Sequence, residues 1–118
     1  MHIKGWNYME NWKPEQLQKA IEEERPVFLK LWKKGCGACK LSIPAVERLE
    51  QAAAHGLRFG QISIDDHPEM LEIAETDVLP AFFVFRRQKI AGSLVGFKGL
   101  AKLEEMVASA LGRPSDAN

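Results

Sequence analysis

The chain has 118 residues, 46% hydrophobic and 27% charged, with 16 basic side chains against 16 acidic ones. That bounds it to one soluble domain over residues 1–118, with room for a single core and none for a second. A net charge of zero offers no broad field to nucleic acid or an anionic membrane, and no apolar run reaches the length of a membrane span. Met1 to Glu10 lack the apolar centre of a secretory leader, so the expected compartment is the cytoplasm.

Residues 1–13 carry no readable pattern. From Pro14 to Glu24, Leu17, Ala20 and Ile21 recur at helical spacing with Pro14 suited to a first turn, which predicts an amphipathic helix closed by Arg25-Pro26. Val27 to Trp32 is nearly unbroken apolar sequence, the pattern of a central strand covered on both faces, and Lys30 is the one charge in it. Lys33, Lys34 and Gly35 form a loop that delivers Cys36 to the start of a long helix. That helix is expected to carry Ile43, Val46, Leu49 and Ala53 on one face, to be kinked by Pro44, and to close at His55-Gly56. Leu57 to Asp65 reads as a second strand, and Pro68 to Glu75 as a short helix with Met70, Leu71 and Ile73 apolar. Ala81 to Phe85 and Ile90 to Val95 follow as a hairpin turning over Arg86 to Lys89. Leu100, Leu103, Met106, Val107 and Leu111 mark a last helix, stopped by Gly112 and Pro114, and 113–118 read as a frayed tail. This order implies an α/β fold, a central mixed sheet flanked by helices on both faces.

Cys36 and Cys39 are the only cysteines. A three-residue step in a helix separates Cα atoms by about 5 Å, inside the window of roughly 4.4–6.8 Å that a disulfide accepts, so the pair can open and close without moving the fold. As a staple it is weak, because closing so short a ring contributes only about 2 kcal/mol. Chemistry is the better reason for the placement, since a lone CxxC in a reducing compartment is more often catalytic or metal-binding than structural. A metal site is not expected: beside the two sulfurs stand only His2, His55 and His67, without a second CxxC or a closely spaced histidine pair. His67 is expected in a turn before Pro68.

At a helix N-terminus Cys36 would face free backbone N–H groups and the positive end of the helix dipole, both of which favour a thiolate. Gly37 and Ala38 are small enough to leave those groups accessible. Cys39, one turn further in, would be covered and keep its proton longer. The expected roles are therefore an attacking Cys36 and a resolving Cys39.

The run from Phe28 through Trp32, Gly35, Cys36-Gly37-Ala38-Cys39 and Lys40, followed by Pro44, Leu79-Pro80 and Gly96, resembles the thioredoxin family in order and spacing, over roughly residues 15–111. The resemblance implies a thioredoxin fold and a thiol-disulfide oxidoreductase, in the first place a protein disulfide reductase. It also implies disulfide-containing protein clients, a separate reductase as electron donor, a monomer, and no cofactor beyond the Cys36/Cys39 dithiol. Leu79-Pro80 would be the family's cis-proline pair, and Gly35, Leu79, Pro80 and Gly96 would border the client groove through their backbones. Trp32, Lys30, Gly37, Ala38 and Pro44 would tune the pair, Trp32 serving as core or as active-site wall.

Three departures from the family pattern stand out. Lys30 replaces a buried acid, Gln61 replaces a lysine on the next strand, and Gly35 takes the place of a tryptophan beside a Gly-Ala rather than Gly-Pro dipeptide. A cation about 6 Å from a thiolate at an effective dielectric of about 20 favours it by roughly 2–3 kcal/mol. Lys30 beneath Cys39 would thus favour the reduced form and make the protein a stronger oxidant, whereas a Lys30 that snorkels from the strand end would do neither. The alternatives are a specialised oxidant or isomerase for few clients, and a redox-silent or metal-holding binding module.

Overall fold

The computed structural model describes residues 9–52 and 56–112. The expectations for His2, Ala53, His55, Pro114 and the tail lie outside them. Strands β1 (Glu10–Asn11), β2 (Val27–Trp32), β3 (Arg58–Ser63), β4 (Ala81–Arg86) and β5 (Lys89–Val95) form one sheet in the order β1-β3-β2-β4-β5. The pairs β1/β3 and β2/β3 run parallel, and β2/β4 and β4/β5 antiparallel, so the sheet is mixed as expected. Helices α1 (Pro14–Glu22), α2 (Gly37–Leu41), α3 (Ile43–Ala52), α4 (Leu71–Ala74) and α5 (Leu100–Leu111) connect and cover it.

Side chains of a strand alternate between faces, and here both faces are dry. Leu29, Leu31 and Phe83 point to a cluster with Leu17 and Ala20 of α1 and Ala74 of α4. Phe28, Phe82 and Val84 point the other way, against Val46 and Leu49 of α3 and Leu103 and Val107 of α5. Double coverage explains why β2 and β4 read as continuous apolar runs. Phe28 is the centre of its layer, with ring centroids 4.9 Å from Phe59 and 5.9 Å from Phe82.

Several boundaries and one whole element differ from the sequence reading. α1 ends at Glu22, β3 is shorter than Leu57–Asp65, and β5 begins at Lys89. Arg87 and Gln88 form the hairpin turn, both with positive φ. The expected helix over Pro68–Glu75 is a 3₁₀ turn, Pro68–Met70, running into the single turn of α4. β1 was not legible at all, because two residues are too few for any periodicity. It is secured by Trp12, 3% exposed, whose backbone N–H donates to the Gln61 carbonyl at 2.7 Å. The Trp12 indole lies so close over Gly60 that a Cβ there would collide with the ring.

The long kinked helix is also corrected. The chain makes two helices with Ser42 between them, and the break precedes Pro44. Proline lacks the N–H that would bond four residues back, but it is well placed in the first turn of a new helix, where Pro44 stands as the second residue of α3. Ile43 is 41% exposed rather than in the core, whereas Val46 and Leu49 are buried as expected.

Candidate active site

β2 ends at Trp32, and three loop residues later the chain enters α2 with Cys36 as its N-cap. Two features set this approach. Gly35 has φ +71, a conformation that costs glycine little and other residues more. The Lys34 N–H donates to the Asp65 carboxylate just beyond β3 at 2.8 Å, which ties the loop to the neighbouring strand.

Cys36 and Cys39 form a disulfide with Cα atoms 5.2 Å apart, inside the window that the three-residue spacing predicts. The sulfurs differ in environment. Cys36 Sγ is half-buried at the helix mouth and accepts the Cys39 backbone N–H at 3.1 Å, while Cys39 is 3% exposed and belongs to the core. Gly37 and Ala38 are exposed, and a Cβ on Gly37 would meet nothing, so the outer side of Cys36 stands open.

The remaining sequence candidates converge on this point. The Leu79-Pro80 bond is cis, and the Leu79 carbonyl oxygen lies 3.8 Å from Cys36 Sγ, where a reduced thiol would find an acceptor. Gly96, at the end of β5 with φ +82, donates its N–H to the Pro80 carbonyl at 2.7 Å. Leu79, Pro80 and Gly96 are thereby one connected wall beside the half-buried Cys36 sulfur. Trp32 packs half-buried against the same cluster as Cys36, with its indole N–H buried and unpartnered. Pro44 stands apart from the pair, as the second residue of α3. His67 precedes the 3₁₀ turn without capping it through its side chain, and lies 3.7 Å from the Glu69 carboxylate.

Lys30 does not snorkel. It is 3% exposed, and its ammonium donates to the Cys39 carbonyl at 3.1 Å. The same oxygen accepts the hydroxyl of the fully buried Ser42 at 2.7 Å. One carbonyl of α2 therefore binds both Lys30 of β2 and Ser42 beyond the helix. Among the described residues Lys30 has no ion-pair partner, and burial lowers its pKa from 10.5 to about 8. Its stem borders a partly open cavity of about 120 Å³, shared with Glu47 and Glu50 of α3 and Gln61 of β3. The Glu50 carboxyl is pushed up, first by burial and then by the neighbouring charge of Glu47. Ser42, Asp65 and Glu50 were missed in the sequence, since nothing in their local pattern marks them. Among the described residues no group of three or more metal-ligating side chains comes together.

The family model Thioredoxin matches residues 9–109, from the residue before β1 into α5. This chain belongs to the thioredoxin family. Curated thioredoxins similar to it include that of Alicyclobacillus acidocaldarius, 26% identical over 94 residues and covering 80% of this chain and 90% of that one. The thioredoxin of Bacillus subtilis is 28% identical over 93 residues, covering 79% and 89%. A bifunctional thioredoxin reductase/thioredoxin of Mycobacterium leprae is 26% identical over 83 residues, 70% of this chain and 18% of that protein. In fold the chain is similar to oxidised mitochondrial thioredoxin 3 of Saccharomyces cerevisiae (TM-score 0.74, 19% identity, covering 84% of this chain and 93% of that one). It is also similar to Malassezia sympodialis thioredoxin (TM-score 0.75, 18% identity, 93% and 97%).

Proposed function

We propose that this thioredoxin-family chain reduces disulfides in protein clients through the Cys36/Cys39 dithiol. The observation that carries the reading is the inequality of the two sulfurs. One lies at the surface as acceptor of a helix N–H, and the other is buried a turn below it. An anion at Cys36 is favoured by that N–H and by the open amides around it. The Cys36 thiolate attacks one sulfur of the client, forming a mixed disulfide and releasing the other client sulfur as a thiolate that takes a proton from solvent. Cys39 then loses its proton and attacks Cys36. The Cys36–Cys39 bond forms as the bond to the client breaks, and the client leaves as a second thiol. Two electrons pass to the client, so the dithiol needs no bound cofactor. The wall of Leu79, Pro80 and Gly96 would align an extended client backbone beside Cys36, with Gly35 leaving the approach clear.

Regeneration needs an electron donor, and we assign it to a separate flavin- or thiol-dependent reductase. The existence of a Mycobacterium leprae protein named as both reductase and thioredoxin supports that pairing. The role suits a monomer in a reducing compartment such as the cytoplasm. Reduction of insulin by the dithiol form tests the reading: wild type is expected to turn over, Cys36→Ser to be inert, and Cys39→Ser to stop at a trapped mixed disulfide. No insulin cleavage by wild type, or zinc copurifying with an inert chain, would sink it in favour of a binding module.

A second reading, an oxidant for few clients, is favoured by one observation, the buried cation on the Cys39 carbonyl. Positive charge beside the pair stabilises the dithiol form. The reduction potential of Lys30→Asp against a glutathione couple decides: a value equal to wild type removes this reading.

A further inference from the structure

We propose that Lys30 is the proton acceptor for Cys39, taking the thiol proton as Cys39 attacks the mixed disulfide and returning it when the disulfide is reduced. This rests on the dithiol chemistry of the preceding section and names a group for its second step. Cys39 is buried, so bulk water cannot take its proton directly, and a buried thiolate is costly to form. The titratable side chain placed against it is Lys30, whose Nζ lies 3.1 Å from the carbonyl of that same residue.

The groups that face Lys30 permit a neutral amine. Phe82 lies opposite on β4 and Gln61 on β3, both uncharged. Glu47 and Glu50 approach from α3 across the cavity, and neither forms an ion pair with Lys30. A buried ammonium without a counter-ion gives up its proton readily, in line with its pKa of about 8. A value of about 8 leaves about one molecule in ten with the free amine at pH 7.

The cavity supplies the rest of the path. Its volume of about 120 Å³ is room for a few waters, enough to lead from the amine past Glu47 and Glu50 to solvent. In the resolving step the Cys39 S–H proton passes to the amine, the Cys39–Cys36 bond forms, and the client departs with the electron pair of the broken bond. The resulting ammonium then loses its proton along the cavity. In the reverse direction the ammonium protonates Cys39 as the disulfide opens.

An aromatic disulfide that releases a coloured thiol at each step, 5,5′-dithiobis(2-nitrobenzoate), resolves the two events in stopped flow. The first release reads attack by Cys36, and the second reads resolution by Cys39. Lys30→Arg keeps a cationic donor for the Cys39 carbonyl but cannot accept a proton, and Lys30→Met removes both functions. Both variants are expected to keep the first phase within about three-fold of wild type and to slow the second at least ten-fold at pH 7. The deficit should narrow as pH rises, because hydroxide then takes the Cys39 proton in place of the amine. A second phase in Lys30→Arg equal to wild type at pH 7 overturns the proposal, as does a deficit that does not change with pH. Should Lys30→Arg fail to fold, the pH profile of Lys30→Met decides in the same way. Absence of a first phase in wild type would instead defeat the reductase reading itself.

Discussion

Taking an ammonium out of water disfavours its charge, and Lys30 carries that cost for the whole chain. Its pKa is lowered from 10.5 to about 8 on folding, so between those values the unfolded chain binds more protons than the folded one, and stability rises with pH across that window. Below pH 8 the folded state bears the full penalty. Lys30→Met is therefore expected to be more stable than wild type at pH 7, by about 1–2 kcal/mol after losing one bond to a carbonyl that Ser42 still satisfies. Urea titrations should show that advantage shrinking steadily from pH 8 to 10.5, and a gap independent of pH would contradict the burial. At this scale the sequence reported the two cysteines and the oddity of Lys30, because residue type and spacing alone carry those. It could not report the partner of Lys30. A carbonyl oxygen has no side-chain signature, and a serine hydroxyl that bonds back three residues, as Ser42 does, is ordinary in helical sequence.

At the scale of elements, legibility followed length. β2, β4 and α5 were read within a residue or two because each repeats its apolar pattern over six residues or more. β1 has two residues and is defined by its neighbours instead, above all by Trp12 resting on Gly60. Gly60→Ala should push the indole off its seat, at a cost of about 1–3 kcal/mol for overpacking. Hydrogen exchange at the Trp12 amide, bonded to Gln61, should accelerate while amides of β2 and β4 keep their protection relative to global stability. Equal exchange at Trp12 in both proteins would show that the ring is not what holds the edge strand. The α2–α3 boundary went unread for a related reason. Pro44 announces an interruption, yet a kink and a fresh start share the same local sequence, and only packing on the two faces distinguishes them.

For the whole molecule, the order of strand and helix patterns was enough to infer a mixed sheet between helical layers, and the family resemblance made it specific. Which strand lies beside which was carried by that resemblance, since pairing partners far apart in sequence leave no local trace. The two layers depend on shared central strands, and Phe28 fills one of them with no exposure at all. Phe28→Ala should cost about 3–5 kcal/mol, a large part of the roughly 5–15 kcal/mol typical of a domain. Denaturant midpoints for the oxidised form should fall accordingly, and a loss below about 1 kcal/mol would mean that the Phe59 and Phe82 rings close over the space.

The burial of Cys39 gives the protein an internal clock. Once the disulfide is opened, that sulfur is covered by Leu29, Leu31 and their neighbours, and a bulky alkylating reagent meets it only when the layers part. With Cys36 first replaced by serine, the rate at which Cys39 is labelled in native buffer measures how often the fold opens. The residue placed to complete a redox cycle therefore also serves as a built-in gauge of breathing, readable by mass with no denaturant added.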